Sequence, residues 1–487
     1  MSTTPIHQLE PIEIWKNFAD INAIPRASKK EERIIEFMVE FGKKLGLETK
    51  VDAAGNVLIK KPATPGMENR KTVVLQSHLD MVHQKNNDTD FDFDSEGIKM
   101  FVDGDWVKAD GTTLGADNGI GVAAIMGILQ ASNLEHPALE ALFTIDEETG
   151  MTGAQELQPG YLKGEILLNL DTEEDDEIDI GCAGGVDVTA ERTYSQIVPD
   201  SDSEGFLIAL RGLQGGHSGM DIHKGLGNAN KIMNQLLMKL KSHLQLGELK
   251  GGSLRNAIPR ESFAHVMVKR QHVEELKHNF QAAAAAAKKD MASIEPDLDL
   301  ALKGAEPLEK VMSPVDLDHL LSSIDKAHNG VYKMSPEIPD LVEASNNIAK
   351  VTVADGSIKI ECLTRSSVEE SKKELMELLR SNFENSGFQV GFSGSYPGWS
   401  PNTDSPILGV LTGIYDRLFS KKPKVGACHA GLECGIIGSH YPEMDMISFG
   451  PTIKGAHSPD ERASISSVER FWGFLKEILK NIPEKDG

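Results

Sequence analysis

The segment LQSHLDMV (75–82) places a histidine and an aspartate, His78 and Asp80, at the end of an apolar stretch. Because alternate residues of a strand face the same side, these two side chains are expected to project together. A solvated strand end would explain a single pair of this kind. Its significance therefore depends on whether other strands also end in residues that can bind a metal.

Four further polar clusters interrupt apolar segments of the chain. They contain Asp117 in a glycine-rich loop, adjacent Glu147 and Glu148 after a buried strand, Asp171 after the next strand, and His457 near the C-terminus. Each cluster alone is more typical of a helix cap or a loop. Taken together, histidines and carboxylates are the nitrogen and oxygen ligands that divalent zinc, cobalt and manganese prefer.

The number of these residues favours two metal ions over one. Five ligands exceed the needs of one tetrahedral ion with an open position, but they suit two ions that share a bridging carboxylate. Such a site also needs a carboxylate that is not a ligand, to accept a proton from water. Adjacent Glu147 and Glu148 can divide these two tasks, and Asp80 can fix the tautomer of His78.

The elements that must position these residues alternate between strand and helix. Apolar runs at 56–61, 71–78, 138–148 and 164–171 predict strands, while 29–46 and 119–133 predict helices. This alternation predicts an α/β fold with a mixed sheet flanked by helices. In such sheets, sites gather at the carboxyl ends of the strands.

A second domain of a different fold class is predicted between residues 186 and 399. Alternating strands, a hairpin over 348–365 and long helices at 224–247, 272–290 and 367–385 indicate an inserted α+β domain. A predicted strand at 446–451 and a predicted amphipathic helix at 466–479 then resume the α/β pattern of the first domain. The predicted domains are therefore 1–185 and 400–487, which form one catalytic domain, and the insert 186–399.

Composition excludes some partners and favours a compartment. The chain of 487 residues carries 74 acidic and 50 basic residues, a net charge of −24, which argues against a nucleic-acid partner. No apolar run approaches the roughly 18 residues that a membrane span needs. Four cysteines without C-x-x-C spacing, and an N-terminus without a signal pattern, predict a cytoplasmic location.

The ordered motifs S-H-x-D, G-x-D-N-G, D-E-E, an aspartate after a strand and a late H-S resemble the di-zinc peptidase family of carboxypeptidase G and aminoacylase. The stretches LGADNGIG, TIDEETGMTGA, GCAGG and HAGLECG look most like bacterial aminoacyl-histidine dipeptidases, which cleave Xaa-His dipeptides such as carnosine. The resemblance covers the whole chain. It implies a zinc-peptidase catalytic domain interrupted by a lid domain.

Carried over to this sequence, the resemblance implies two Zn²⁺ ions per chain, with Co²⁺ or Mn²⁺ as alternatives. The implied metal ligands are His78, Asp117, Glu148, Asp171 and His457. In this scheme Asp117 bridges the ions, His78 and Asp171 complete one site, and Glu148 and His457 complete the other. The family also implies a cis peptide bond after the bridging aspartate.

The resemblance assigns further roles outside the ligand set. Glu147 would be the general base and Asp80 the residue that orients His78. In the lid, His217 of the G-G-H-S-G motif, Asn256 and Arg365 would bind the substrate, with the arginine facing its carboxylate. Some family members dimerise through the lid, whereas a lid of this length also allows one chain to complete its own site. We expect a homodimer acting on small dipeptides.

Three competing interpretations were considered. The stretch GIGVAA (119–124) matches a dinucleotide fingerprint, but a polar glycine-rich segment precedes it in place of the required strand. A non-catalytic zinc-binding module would lack the general base, whereas Glu147 is present. The same two-metal chemistry on N-acyl-amino acids, or on other dipeptides and tripeptides, stays open because specificity lies in the lid contacts.

Overall fold

The computed structural model describes residues 5–485, so the first four residues of the N-terminal segment considered above lie outside the described part. The chain divides into two compact units. The first contains the residues up to Cys182, Trp399–Ala427 and the residues from Leu432 onwards, and the second contains Ala183–Gly398 and Cys428–Gly431. The predicted boundaries after residues 185 and 399 lie close to these limits. The assignment of Cys428–Gly431 to the second unit has no counterpart in the prediction.

An eight-stranded mixed sheet forms the centre of the first unit. Its strands, in spatial order, are Glu48–Val51, Val57–Lys61, Leu139–Thr144, Val73–His78, Ile166–Asn169, Asp445–Ser448, Glu177–Cys182 and Lys424–Cys428. Val73–His78 runs parallel to both Leu139–Thr144 and Ile166–Asn169, and all residues of these three strands are buried. The α/β class with a mixed sheet, predicted from the strand and helix alternation, is confirmed.

Helices and a smaller sheet complete the first unit. The helices are Ile12–Asn22, Glu32–Lys44, Ala116–Gln130, Glu147–Gly150, Thr152–Glu156, Pro406–Phe419, Glu433–His440 and Ile465–Lys480, with a 3₁₀ turn at Ile6–Gln8. The smaller sheet has the order Ile453–Lys454, Arg462–Ser464, Trp106–Ala109 and Met100–Asp103. Ala116–Gln130 packs against Val73–His78 and against Ile12–Asn22, which explains why it is apolar on nearly all sides.

The second unit is built on an antiparallel sheet. Its main path is Asp299–Ala305, Ser203–Arg211, Ser262–Lys269, Gln245–Gly251, Val342–Ala354, Ser357–Ser366, Gly184–Thr193 and Gln389–Tyr396, with Gly330–Met334 paired to Val342–Ala354. Two small ribbons pair Gln196–Ile197 with Val311–Met312 and Gly216–His217 with Ala257–Ile258. The helices are Ala229–Leu240, Val273–Met291, Pro314–Lys326 and Glu369–Glu384, with 3₁₀ turns at Ile222–Lys224 and Arg270–His272.

The predicted hairpin of the second unit is present. Val342–Ala354 and Ser357–Ser366 pair antiparallel in a register that joins Ala354 to Ser357. The turn between them contains Asp355 and Gly356, both with positive φ angles of 49° and 76°, as a type I′ turn requires.

The strand predicted over 138–148 was too long. The strand ends at Thr144, and both glutamates lie in the short helix Glu147–Gly150. The chain leaves the extended conformation because Asp146 adopts a left-handed conformation, with φ at 53°, which aspartate tolerates better than most residues. The Asp146 carboxylate accepts hydrogen bonds from the hydroxyls of Thr149 and Thr152, which closes the turn.

Three of the four cysteines, Cys182, Cys362 and Cys434, are free and buried. Burial raises the pKa of Cys182 to about 11 and that of Cys362 to about 12. Neither is therefore a thiolate near neutral pH, the form that a nucleophile or a metal ligand needs. Among the described residues, no helix is long and apolar enough to cross a membrane.

Candidate metal centre

Three parallel strands of the first unit deliver polar side chains to one edge of the sheet. His78 is the last residue of its strand, and Asp171 lies two residues beyond Ile166–Asn169. Glu147 and Glu148 follow the third strand after the Asp146 turn. Because parallel strands present their carboxyl ends at the same edge, these residues come together despite their separation in sequence.

Asp117 is held at the same edge by its backbone. It lies at the start of Ala116–Gln130 with non-helical φ and ψ angles, and the Asp117–Asn118 peptide bond is cis. The side-chain amide of Asn118 donates to the Leu170 carbonyl at 2.7 Å. The loop that carries the bridging candidate is thereby attached to the segment that carries Asp171.

The five candidate ligands form two groups that share Asp117. Its Oδ1 lies 3.2 Å from His78 Nε2, which is also 3.5 Å from Asp171 Oδ1. Its Oδ2 lies 3.2 Å from His457 Nε2, which is also 3.0 Å from Glu148 Oε2. Each oxygen of one carboxylate thus faces a different histidine, which is the arrangement expected of a carboxylate that bridges two ions.

The buried charges of this cluster fit cations. Asp171 Oδ1 and Glu148 Oε1 are buried and accept no hydrogen bond from the described residues. An anionic oxygen in this state is costly unless a cation or a donor compensates it. The donor set of two imidazoles and three carboxylates, with no thiolate, suits Zn²⁺ and similar divalent ions. The residues present therefore fit a pair of metal ions.

The pKa values of the cluster show the same excess of negative charge. Hydrogen bonds with Asp117 and Glu148 raise the pKa of His457 to about 11. Burial raises the pKa of Glu148 to about 7, and nearby Asp117 acts in the same direction. For Asp117, burial acts to raise the pKa, but the hydrogen bonds to His457 and His78 outweigh it and lower the pKa below its usual range. Bound cations would neutralise this excess of negative charge.

Glu147 stands beside the ligands as a further carboxylate. It can offer an oxygen within 4.8 Å of ligand atoms from His78 and Glu148. Burial raises its pKa well above the usual range of a glutamate, and the charges of Glu148 and Asp171 act in the same direction. A buried glutamate with a raised pKa can accept and return a proton near neutral pH.

Asp80 connects the histidine to the two glutamates. Its Oδ1 lies 3.3 Å from His78 Nδ1 and accepts the Glu147 backbone N–H at 3.0 Å. Its Oδ2 accepts hydrogen bonds from the Glu148 backbone N–H at 3.3 Å and from the Ser28 hydroxyl at 2.8 Å. One fully buried carboxylate therefore contacts both the His78 ring and the backbone of the short helix.

Two supporting residues were missed by the sequence analysis. Glu461 accepts hydrogen bonds from four consecutive backbone N–H groups, those of residues 114–117, at 2.7–3.2 Å. Arg26 is buried and donates to the carbonyls of Leu79, Asp80 and Gly115. Glu461 lies in the segment GAHSPDE (455–461), four residues after His457, but nothing local distinguishes its carboxylate from a solvated one. Both residues act on backbone that is distant in sequence.

In the second unit, His217 and Asn256 lie on neighbouring segments. His217 pairs with Ala257 across a two-stranded ribbon, and the Asn256 carbonyl accepts the Ser218 N–H at 2.8 Å. His217 Nδ1 accepts the backbone N–H groups of Gly219 and Met220 at 3.3 and 3.1 Å. In the neutral ring the proton therefore resides on Nε2, which makes that nitrogen a hydrogen-bond donor.

Arg365 is a buried cation with no carboxylate partner among the described residues. It is 5% exposed, its Nη1 donates to the Tyr396 hydroxyl at 3.1 Å, and its Nε has no hydrogen-bond partner. Its cross-strand neighbour Ser345 lies 2.8 Å from His429 Nε2. Burial lowers the pKa of His429 to about 3, and the charge of Arg365 acts in the same direction. The surroundings of Arg365 suit an anionic group.

Comparisons with known proteins show which proteins this chain resembles. The chain is 44% identical over 482 residues to the cytosol non-specific dipeptidase of Escherichia coli (strain K12), which covers 99% of each chain. Its structure superposes with a TM-score of 0.89 on the aminoacylhistidine dipeptidase from Vibrio alginolyticus, at 42% identity and 99% coverage of both chains. A tripeptidase from Staphylococcus aureus has the same fold, with a TM-score of 0.58, 17% identity, and coverage of 97% and 99%.

The match to a family model extends over most of the sequence. Residues 74–481 match the model described as Peptidase family M20/M25/M40, a span that includes all five candidate ligands and the whole second unit. The family resemblance drawn from the motifs is confirmed, and the chain is an enzyme of a metallopeptidase class. It belongs to peptidase family M20/M25/M40.

Proposed function

We propose that this protein is a dipeptidase that uses two divalent metal ions and the general base Glu147 to hydrolyse Xaa-His dipeptides. The observation that carries the proposal is the pair of histidine–carboxylate groups that share Asp117, with Glu147 beside them. The high identity to a dipeptidase and the close superposition on an aminoacylhistidine dipeptidase support the substrate class.

His78 and Asp171 would hold one ion, Glu148 and His457 the other, and Asp117 both, with Zn²⁺ as the ion that the donor set favours. Bound ions of this kind lower the pKa of a water molecule and polarise a carbonyl oxygen. Asp80 keeps Nδ1 of His78 engaged, so that Nε2 faces the ligand cluster. Glu461 and Arg26 keep the Asp117 loop and the strand end in place.

Glu147 moves the proton. Its carboxylate takes a proton from the attacking water, the water oxygen bonds to the scissile carbonyl carbon, and the same carboxyl then protonates the departing amine nitrogen. The place of Glu147 beside the candidate ligands suits both steps, because one carboxyl can then take the proton of the water and pass it to the amine nitrogen.

The residues of the second unit would bind the substrate. Nε2–H of His217 can donate to the oxyanion that develops from the scissile carbonyl. Arg365, a buried cation without an anionic partner among the described side chains, suits the terminal carboxylate of a dipeptide. Asn256, on the loop beside His217, can donate to a backbone carbonyl of the peptide.

The preference for histidine rests on the named relative from Vibrio alginolyticus, whereas the Escherichia coli relative is named a non-specific dipeptidase. We infer that Xaa-His dipeptides are substrates among other dipeptides. The name of the second relative also supports the cytoplasmic location that we propose. We further propose a homodimer, which sedimentation equilibrium at several protein concentrations would test.

The test is release of free histidine from β-alanyl-histidine by the purified chain. Activity is measured before chelation, after removal of metal with EDTA, and after zinc is restored. The proposal predicts that histidine release disappears and returns. Alanyl-alanine and an N-acetyl-amino acid serve as parallel substrates, because the same metal chemistry can act on either.

The parallel substrates test the Xaa-His preference and the dipeptidase activity separately. Hydrolysis of alanyl-alanine without histidine release would contradict the Xaa-His preference and leave a metal-dependent dipeptidase. Hydrolysis of only the N-acetyl-amino acid would contradict dipeptidase activity. No hydrolysis of any of the three by a zinc-loaded sample would contradict the proposed function as a whole.

A further inference from the structure

A second histidine–carboxylate cluster lies in the second unit, formed by His243, His272 and Glu275. His243 follows the helix Ala229–Leu240, and its N–H donates to the Leu240 carbonyl at 2.9 Å. His272 ends the short 3₁₀ turn before the helix Val273–Met291, and Glu275 lies in the first turn of that helix. Each residue offers a ligand atom within 4.8 Å of those of the other two.

The separations within the cluster match those of metal ligands. Nδ1 of His243 and Nδ1 of His272 each lie 3.6 Å from the same oxygen, Oε2 of Glu275. Zinc–ligand bonds of 2.0–2.2 Å in tetrahedral geometry place neighbouring ligand atoms about 3.3–3.6 Å apart. The corresponding separations at the candidate metal centre of the first unit are 3.0–3.5 Å. The two imidazoles and the carboxylate are therefore spaced for a single ion.

The contacts of the two rings favour a bound ion over a simple ion pair. Nδ1 of His243 is buried and has no hydrogen-bond partner among the described residues, a state that costs about 1–3 kcal/mol. Nε2 of His272 lies 3.1 Å from the side-chain amide of Gln271. The atom of Gln271 that faces Nε2 is its amide nitrogen, so this contact engages Nε2, while Nδ1 is the ring nitrogen that lies 3.6 Å from the Glu275 oxygen.

The charge around the cluster also permits a cation. The N-terminal end of a helix disfavours positive charge. The first turn of Val273–Met291, however, carries both Glu274 and Glu275, and these carboxylates offset the helix dipole. Two imidazoles and one carboxylate form a ligand set that zinc uses elsewhere.

We propose that His243, His272 and Glu275 bind one divalent transition-metal ion, with zinc as the representative ion. This site belongs to the second unit and is separate from the ligand cluster around Asp117. A bound ion cross-links the segment after one helix to the beginning of the next, and it stabilises the folded unit in proportion to its occupancy. The inference does not depend on the proposed peptidase mechanism.

The test is the zinc content of full-length protein that has been stripped with EDTA, reloaded with excess Zn²⁺ and desalted. Wild-type protein and the double variant His243→Ala/His272→Ala are compared by mass spectrometry of the metal. The expected result is one zinc per chain fewer in the double variant. The same comparison in an Asp117→Asn background gives the same difference of one if the two clusters are independent.

Two single variants serve as controls. One tests whether zinc is lost without misfolding, and the other tests whether removal of any histidine lowers the zinc content. Glu275→Gln changes an exposed side chain and is expected to lose the same zinc while retaining the wild-type circular dichroism spectrum. His278→Ala removes an exposed histidine from the same helix and is expected to keep the full zinc content. Equal zinc content in wild type and Glu275→Gln would overturn the proposal.

Discussion

Two regions of the molecule, the candidate metal centre of the first unit and the surroundings of Arg365 in the second unit, differ in charge and in construction. The first unit gathers carboxylates around His78 and His457, with anionic oxygens that no described donor satisfies. The second unit instead presents Arg365, a buried cation without a described carboxylate partner, near His429, which burial keeps neutral. One region suits cations and the other suits an anion.

The two regions also differ in the strands that carry their residues. The first region uses the carboxyl ends of parallel strands, where ligands from distant segments meet around one edge. The second uses an antiparallel hairpin, where Arg365 is fixed by its strand register beside Ser345. Both regions can thus stabilise negative charge, the first through the ions that it would hold and the second through Arg365 itself.

Removing the shared ligand should have the largest effect on the first region. In Asp117→Asn, both ion sites lose an anionic ligand at once, so zinc content should fall at both. Activity should drop roughly 10³-fold or more, since metal stabilisation of the transition state is worth several kcal/mol. Zinc analysis and kcat/KM for β-alanyl-histidine check this. Asp110→Asn, a change at an exposed neighbouring aspartate, should leave both unchanged.

Removing the buried cation should affect the second region without changing the metal. In Arg365→Met, the loss of charge-assisted hydrogen bonds worth about 1.5–3 kcal/mol should lower kcat/KM roughly 10- to 100-fold. Zinc content should match wild type. Arg270→Met, a change at a largely exposed arginine of the same unit, is the control. A loss of zinc in Arg365→Met would contradict the claim that Arg365 acts on the substrate and not on the metal ions.

A smaller effect is expected at Glu461, which accepts hydrogen bonds from the backbone before and at Asp117. In Glu461→Gln, one acceptor oxygen is replaced by a donor, so the loop is held less well. We expect zinc affinity to fall roughly 10- to 100-fold, as for other partners of metal ligands. Competition with a fluorescent chelator measures the affinity. Glu443→Gln, at an exposed site, should retain wild-type affinity.

The smallest effect concerns the stability of the first unit with pH. Burial raises the pKa of Asp179 to about 7, while its carboxylate accepts a hydrogen bond from Thr172 at 2.8 Å. The folded state therefore holds a proton that the unfolded state releases above pH 4. Folding stability from this group falls as pH rises from about 4 to 7, by about 1 kcal/mol per pH unit.

Asp179→Asn should remove this dependence and leave kcat unchanged. Urea unfolding of both proteins at pH 6 and pH 7 measures the effect. Relative to the variant, wild type should lose about 1 kcal/mol of unfolding free energy over this step. A pH dependence that is identical in both proteins would show that Asp179 is ionised in the folded state.

The sequence predicted which residues could be metal ligands because the signals are local. A strand that ends in His78, or one followed by Asp171, can be recognised from a few residues, and parallel strands bring such ends together. The turn at Asp146 was missed, because the apolar run continues towards it and a left-handed conformation has no pattern of its own. Its consequence was the misplacement of Glu147 in a strand.

The supporting residues could not be predicted for a different reason. Glu461 lies 347 residues from the Leu114 N–H that it accepts, and Arg26 lies 89 residues from the Gly115 carbonyl to which it donates. The supporting role of these two side chains depends on tertiary contacts, which the local sequence does not show. The roles of His217, Asn256 and Arg365 came from family resemblance rather than from local pattern, and they remain predictions.

The central claim is that Glu147 moves the proton but does not hold the metal. The most direct measurement is zinc content and kcat of Glu147→Gln, beside Glu156→Gln, a change at an exposed glutamate of the following helix. The account predicts wild-type zinc content in both variants and a fall in kcat of roughly 10²- to 10⁴-fold in Glu147→Gln alone. Full activity of a zinc-loaded Glu147→Gln variant would contradict it.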